Sequence, residues 1–472
     1  MLFNSLDYLI FLPASFIVFW AIPSRRLEVM LVASYVFYAS WSVPYAAMIF
    51  MLVVANYLFG LALGRASQHR RVLLAAFIAA DLGVLGLFKY FDFGVSSFAA
   101  AANALLGTRW EPGVLGLVLP LGISFFTFEF IHYLVDIYRG DMPVHSFSKF
   151  HVFAAFFPTQ IAGPIKRFQQ FVPSLASLGR FDSALAKEGL WLIGRGLVKK
   201  VLLADRLAPL ATQGFSAASI GAIGTADAWV TIFAFWLQIF FDFSGYTDIA
   251  RGSAALFGFR IPINFDAPYL ATSLVDFWRR WHISLSSWLR DYIYIPLGGS
   301  RRRRAIVTRN LLITFVLGGL WHGAAWHFVA WGALWGAGLS LQHLLRGRVT
   351  VPRTVPALVV GWMFTQLFVL VSFVLFRADS FASAGVMLQA MAGYGAASGL
   401  QSVARSVFVG GTAVALIVFS LAGRLGWRPP RVAVPVGGYL RPALFGAATA
   451  LVILFASVAA PTGRQAFIYF QF

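Results

Sequence analysis

The sequence contains no cysteine and has few charged residues. Of its 472 residues, 12% are charged and 59% are hydrophobic, whereas an average soluble protein carries about 25% charged residues. The absence of cysteine excludes disulfide bonds, thiolate metal sites and cysteine nucleophiles. The scarcity of charge disfavours a soluble protein, because apolar runs of about 17 to 25 residues, enough to cross a bilayer, recur from end to end.

Several catalytic motifs are absent as well. The sequence has no G-x-S-x-G elbow, P-loop, H-E-x-x-H motif or glycine-rich dinucleotide fingerprint. These absences weaken the hydrolase, nucleotide-driven pump and zinc protease interpretations. Internal repeats typical of inverted-repeat transporters and low-complexity stretches are also missing, so residues 1–472 are interpreted as one domain.

The apolar runs predict about eleven transmembrane helices, and the fold class is therefore an all-α, polytopic integral membrane protein. The last apolar runs enclose glycine-rich sequence at 317–338, which is typical of helices in close contact. The predicted apolar stretches are 2–22, 27–43, 44–64, 71–91, 114–138, 184–213, 227–245, 308–327, 329–345, 357–376, 404–423 and 441–460.

The formal net charge is +19, and the basic residues lie mainly in short loops between the apolar runs. Arg25 and Arg26 follow the first run, and Arg71 follows the third, whereas the loops near 42–44 and 92–111 hold few bases. This positive-inside pattern predicts cytoplasmic basic loops and a periplasmic N-terminus. The charge indicates membrane lipid as a partner, and no nucleic acid partner is expected.

Two segments of the middle third differ from ordinary spans. Residues 150–165 are apolar but short and are interrupted by proline and glycine, which predicts a re-entrant segment sheltered by protein. In residues 274–292 the apolar residues recur with a period of 3.6 residues, which places tryptophans on one face of a helix and arginines on the other. This pattern predicts one amphipathic helix in the plane of the membrane interface.

His322 is the first candidate for chemistry, because it lies inside an otherwise apolar run. Ionisable groups within a membrane are costly and by default mark a functional site, and imidazole can accept and return a proton near neutral pH. The alternative is a histidine that only hydrogen-bonds a neighbouring helix. His327, five residues later, is a weaker candidate.

Two further groups of residues are ambiguous. His282 lies at the margin of the apolar face of 274–292, where it could turn toward a cavity or be solvated by headgroups, and Arg279 and Arg280 could contact lipid or substrate. Glu129 and His132 share a helix face with Asp136. They could line the same cavity or form a structural network, but a di-iron site would need a second such motif and two more carboxylates.

At these motifs the chain strongly resembles the membrane-bound O-acyltransferase family, in particular its bacterial branch that contains the alginate O-acetyltransferase membrane subunit. The resemblance covers nearly the whole length. The matching motifs are Phe156-Phe-Pro-Thr-Gln-Ile-Ala-Gly-Pro164, Asp242-Phe-Ser-Gly-Tyr246, Phe277-Trp-Arg-Arg-Trp-His-Ile-Ser-Leu-Ser286, Trp288-Leu-Arg-Asp-Tyr292, Pro296-Leu-Gly-Gly299 and Gly319-Leu-Trp-His-Gly323.

The resemblance implies a ring of helices around a transmembrane tunnel, with His322 as the catalytic histidine and His282 as the second active-site position. It implies an acyl thioester donor such as acetyl-CoA on the cytoplasmic side of the bacterial inner membrane, with no permanently bound cofactor and no metal. The expected acceptor is an exopolysaccharide, reached directly or through a periplasmic acetyltransferase-like partner. Further tunnel-lining candidates are Trp321, Trp281, Arg279, Arg280, Asp242, Ser244, Tyr246, Pro158, Gln160, Glu129 and His132.

Three functions remain open at this point. The leading hypothesis is O-acetylation of an exopolysaccharide such as alginate, and D-alanyl transfer to teichoic acid uses the same chemistry. A transporter of polysaccharide or acyl donor is the alternative from another class. For the acetyltransferase we expect His282, His322, 156–164 and 274–292 to surround one cavity with a basic mouth made by Lys166, Arg167, Arg279 and Arg280.

Overall fold

The computed structural model describes residues 1–346, 354–396, 403–425 and 467, and these residues are almost entirely helical. Phe265 and Trp281 form an isolated antiparallel bridge. The predicted span 441–460 lies outside the described residues. The helices are α1 Leu6–Ala21, α2 Arg26–Ala39, α3 Val43–Arg65, α4 Arg70–Leu85, α5 Phe91–Leu106, α6 Ile123–Arg139, α7 Phe147–Ala155, α8 Phe168–Ala176, α9 Ser183–Leu197, α10 Asp205–Ser219, α11 Thr225–Leu256, α12 Leu274–Arg280, α13 Ile283–Leu289, α14 Arg304–His322, α15 Trp326–Leu345, α16 Val355–Arg377, α17 Phe381–Gln389 and α18 Val403–Arg424.

The described helices are those of a multi-pass membrane protein. Six of them, counting α4 and α5 as one, are long and apolar enough to cross a bilayer, and the bent pair α1 and α2 would make a seventh. The axes of this pair differ by 108°, so 2–22 and 27–43 do not form a simple antiparallel hairpin. The all-α fold class is confirmed, and the count of about eleven spans stays a prediction.

The centre of the fold is a close pairing of α9 and α10 with α11. The predicted run 184–213 is a helix that continues through a π-helical turn at Val198–Ala204 into α10, and the predicted run 227–245 extends to Leu256. Glycines allow the backbones to touch, since a Cβ on Gly196 would lie 2.6 Å from the carbonyl oxygen of Gly245. Such close approach is typical of helix pairs in membranes.

The prediction of a helix over 114–138 is wrong in its first part. A π-helical turn at Gly86–Tyr90 joins α4 to α5, so the helix runs on to Leu106, and residues 107–120 have no regular structure. Asp92 holds this segment by accepting hydrogen bonds from the backbone N–H groups of Leu115 (2.7 Å) and Gly116 (3.0 Å). Helix α6 then begins only after Gly122, which has a φ of +74°.

The predicted re-entrant segment is a short helix followed by irregular backbone. Helix α7 ends at Ala155, and residues 156–167 are irregular, with turns at 157–162. All residues from 151 to 166 are buried by protein, which is the shelter that irregular backbone needs at membrane depth. Gly163 permits the tight turn, since a Cβ there would lie 2.4 Å from Cα of Thr159.

Candidate active site

His322 is the last residue of α14, and its side chain is buried among aromatic rings. Its ring centroid lies 4.9 Å from that of Trp321, 5.1 Å from that of Trp331 and 5.1 Å from that of Phe376. Gly323 follows the last residue of the helix, and a Cβ there would lie 2.1 Å from the ring of Phe328. Glycine after the histidine is therefore required for α15 to fold back against α14.

The prediction of one helix over 274–292 is wrong. Helices α12 and α13 are separated at Trp281 and His282, and His282 has a φ of +43°, which is strained for a side chain other than glycine. The break is held by Asn264, whose side-chain oxygen accepts from the backbone N–H and the hydroxyl of Ser284, at 3.2 and 2.6 Å. The break turns His282 inward, where it is fully buried.

The apolar face of 274–292 packs against protein rather than against lipid, which also departs from the interfacial prediction. Trp278, Trp281 and Trp288 are between 3% and 9% exposed. Trp281 stacks on Phe277 with ring centroids 5.5 Å apart. The periodic pattern thus predicted correctly that this face is buried, but the face packs against other helices of the protein instead of lipid.

His282 and His322 meet at the indole of Trp321. The ring centroid of His282 lies 6.0 Å from that of Trp321, and His282 also packs edge-on against Phe243 of α11 at 4.6 Å. We call His282, His322, Trp321 and Phe243 the two-histidine cluster. Burial lowers the pKa of His282 to about 3, so this imidazole is neutral at physiological pH and can accept or donate a hydrogen bond.

Helix α6 contacts the two-histidine cluster through Phe128. The Phe128 ring stacks on Trp321 at 5.3 Å and on Trp288 at 3.9 Å. On the same helix, Glu129 forms a buried ion pair of 2.7 Å with Lys166, and His132 Nδ1 lies 3.2 Å from the carbonyl oxygen of Phe128. Glu129 therefore joins α6 to the segment that follows α7, whereas the His132 contact lies within α6 itself.

The polar residues of α11 flank Phe243 and have different surroundings. Asp242 forms an ion pair of 3.0 Å with Lys200, which also pairs with Asp205 at 2.9 Å. Tyr246 stacks on Phe3 at 4.5 Å and on Phe467 at 4.3 Å. Asp242 therefore helps to join the π-helical turn at Val198–Ala204 to α11. The remaining candidates Ser244, Pro158 and Gln160 are all buried.

The predicted basic mouth is largely wrong. Lys166 is only 2% exposed and pairs with Glu129, Arg167 pairs with Asp291 at 3.2 Å, and Arg280 pairs with Asp276 at 2.8 Å. Only Arg279 of the four is exposed. Three of the predicted bases are thus paired with carboxylates. The partners of Lys166 and Arg167 are distant in sequence, whereas Asp276 lies four residues before Arg280 in the same helix.

Arg279 lines a cavity of about 1150 Å³ between α12, α13, α14, α15 and α16. Arg290 and Arg346 also line it, together with many apolar side chains. Neither His282 nor His322 is among the lining residues, although Ile283, next to His282, is one of them. The single cavity predicted around both histidines and 156–164 thus differs from this one, which adjoins the two-histidine cluster without including it.

Sequence reasoning missed three residues that shape the cluster. Asn264 fixes the break at His282, as described above. Lys89 and Tyr90, in the π-helical turn, hydrogen-bond backbone carbonyl groups at the end of α14. A lysine inside an apolar run was the available signal for Lys89, but its place near the end of the predicted span 71–91 made it resemble an ordinary interfacial lysine.

Comparison with known proteins identifies related sequences. The model of the membrane-bound O-acyltransferase family matches residues 124–384. The chain is 42% identical to the "Probable alginate O-acetylase AlgI" of Azotobacter vinelandii over 84% of the chain and 79% of that protein. It is 36% identical to the "Peptidoglycan O-acetyltransferase" of Helicobacter pylori over 83% and 80%. A "Teichoic acid D-alanyltransferase" of Streptococcus thermophilus is 31% identical over 55% and 66%.

Proposed function

Since the chain belongs to the membrane-bound O-acyltransferase family and is therefore an acyltransferase, we propose that it passes an acetyl group across the bacterial inner membrane for O-acetylation of an exopolysaccharide such as alginate. The family model covers residues 124–384, a range that contains both histidines. The observation that carries the proposal is the two-histidine cluster, in which two buried imidazoles contact one indole inside a helical membrane protein.

The proposed donor is acetyl-CoA or another acyl thioester, used as a substrate rather than held as a cofactor. The acceptor hydroxyl gives its proton to the imidazole of His322 while its oxygen attacks the thioester carbonyl. The C–S bond then breaks, and the leaving thiolate takes the proton from the imidazolium. His282, which is neutral, donates a hydrogen bond to the developing oxyanion.

The position of His322 supports transfer from one side of the membrane to the other. Helix α14 begins beside the basic segment Arg301–Arg304 and has 19 residues, so it is about 28 Å long. Helix α4 also starts at a basic loop, and Lys89, 19 residues after Arg70, meets the end of α14. The two basic loops then share the cytoplasmic side, and His322 lies toward the periplasmic side, within reach of a polysaccharide or a periplasmic partner.

The proposal is tested with purified protein in vesicles that receive radiolabelled acetyl-CoA on one side only. Label should appear on a polysaccharide hydroxyl, directly or after addition of a periplasmic acetyltransferase, and an equal amount of free CoA should form. A D-alanyl carrier-protein thioester serves as the competing donor. Turnover of that thioester but not of acetyl-CoA would overturn the acetyl assignment and favour D-alanyl transfer.

A further inference from the structure

The C-terminal end of α14 is hydrogen-bonded by two side chains that come from outside it. The Lys89 ammonium donates to the carbonyl oxygen of Trp321 and, at 3.3 Å, to that of His322. The Tyr90 hydroxyl donates to the carbonyl oxygen of Leu320 at 2.7 Å. Three consecutive carbonyl groups, including that of His322 itself, are therefore held by one short segment.

Helix α14 needs such external donors. The last four carbonyl groups of an α-helix have no partner within the helix, and many helices satisfy them with a left-handed glycine after the last turn. Here Gly323 is extended, with a φ of −163° and a ψ of 152°. The chain thus leaves α14 without the usual glycine cap, and Lys89 and Tyr90 supply the hydrogen bonds instead.

The π-helical turn explains how two adjacent residues reach the same target. In a regular α-helix, successive side chains point about 100° apart, so Lys89 and Tyr90 would diverge. The wider turn at Gly86–Tyr90 interrupts the long helix formed by α4 and α5, and both side chains then reach carbonyl groups of α14. Single π-helical turns within α-helices occur frequently at functional sites.

The charge of Lys89 suits this position. A cation near the C-terminus of a helix is stabilised by the partial negative charge of the unpaired carbonyl groups. Within an apolar run, an ammonium group is costly unless it has such partners. Because the direction of an imidazole follows from the backbone that carries it, the ammonium also fixes where the His322 ring lies against Trp331 and Phe376.

We propose that Lys89 is a positioning residue for acyl transfer, which anchors the end of α14 so that His322 is held in its reactive orientation, with Tyr90 as a second anchor. This inference rests on the proposed function, with His322 as the catalytic residue. Lys89 itself needs no contact with donor or acceptor. Loss of the anchor should lower kcat and leave the donor KM unchanged, since only the placement of the imidazole changes.

The test compares Lys89→Met, Lys89→Arg and Tyr90→Phe in reconstituted vesicles, with acetyl transfer and donor KM as readouts. Lys187→Met is the matched control, because Lys187 is an exposed lysine of α9. We expect Lys89→Met to reduce kcat about ten- to a hundredfold, the range that a misplacement of about 1 Å produces. Lys89→Arg should recover most of this loss, and Tyr90→Phe should show a smaller one.

Three results would overturn the inference. The first is a kcat of Lys89→Met within twofold of the wild type, and the second is a Lys89→Arg variant as impaired as Lys89→Met. The third is a rise in the donor KM of Lys89→Met with kcat unchanged, which would show that Lys89 contacts the donor. If Lys89→Met inserts poorly, kcat and donor KM are compared for Tyr90→Phe instead. This variant keeps the aromatic ring and removes only the hydroxyl that donates to the carbonyl oxygen of Leu320. A wild-type protein without acyl transfer would contradict the proposed function itself, whereas an active wild type with an unaffected Lys89→Met contradicts only the anchor.

Discussion

The ammonium of Lys166 and the carboxylate of Glu129 lie 2.7 Å apart in the interior of the protein, with side chains 2% and 7% exposed. The pair joins α6 to the irregular segment that follows α7. A buried ion pair contributes little relative to an apolar pair, but removal of one partner leaves an uncompensated charge. The pair therefore makes each of its residues intolerant of single substitution.

We expect Lys166→Met to lower the free energy of unfolding by about 3 kcal/mol, and the double variant Lys166→Met/Glu129→Leu to recover a large part of this loss. Thermal unfolding in detergent measures both. The matched control is the exposed pair Arg260 and Glu188, 3.1 Å apart with side chains 69% and 43% exposed, where Glu188→Gln should cost less than about 1 kcal/mol. Equal losses at the two pairs would refute the interpretation.

The buried imidazole of His282 should make stability depend on pH. Because burial lowers its pKa to about 3, the folded protein keeps it neutral, while the unfolded chain takes up a proton below about pH 6.5. The contribution of His282 to the free energy of unfolding is complete above pH 6.5. It is lost as the pH falls, by about 2 kcal/mol between pH 6.5 and 5. The free energy of unfolding of His282→Gln, measured against pH, should lack this loss. If His282→Gln and the wild type show the same pH dependence, the imidazole of His282 is exposed to water.

Gly323 should tolerate no side chain. A Cβ at this position would lie 2.1 Å from the ring of Phe328, so Gly323→Ala must displace either α15 or the backbone next to His322. We expect acyl transfer to fall about tenfold or more, with partial recovery in Gly323→Ala/Phe328→Leu. Gly385→Ala is the control, since a Cβ there meets nothing within 4 Å. Normal activity of Gly323→Ala would show that this packing is not needed.

The topology can be checked with reporter fusions. The positive-inside pattern predicts a cytoplasmic signal for reporters after Arg26, Arg71 and Arg304 and a periplasmic signal near Asn4 and Asn103. Alkaline phosphatase and green fluorescent protein fusions report the two sides. A periplasmic signal after Arg71 would invert the N-terminal half and would separate the two basic loops from which α4 and α14 begin.

The hydrophobic pattern predicted helices well where they were apolar throughout. The predicted spans 357–376 and 404–423 agree with α16 and α18 to within two residues at each end. The pattern failed at α5, where alanine-rich sequence with Asp92 resembled a loop. It also failed at 274–292, because Asn264, a residue distant in sequence, stabilises a left-handed conformation at His282 that no local preference favours.

The candidate site, like the fold, was predicted correctly in one part and wrongly in another. The cost of an ionisable group within a membrane singled out His322, and the structure places His282 beside the same indole. The predicted basic mouth failed because salt-bridge partners are set by tertiary packing: Asp291 is distant in sequence from Arg167, and Glu129 from Lys166. Of the three pairs, only that of Arg280 with Asp276, four residues earlier in the same helix, could be predicted from the sequence.

The most direct test of the acyltransferase mechanism is the rate of acetyl transfer by His322→Ala in reconstituted vesicles. Because His322 is assigned to proton transfer, the rate should fall at least about a hundredfold, with normal insertion. His282→Ala should also impair transfer, but less severely, because water can replace part of a positioning role. Full acetylation of the polysaccharide by a normally inserted His322→Ala protein would contradict the assignment of His322 and with it the two-histidine mechanism.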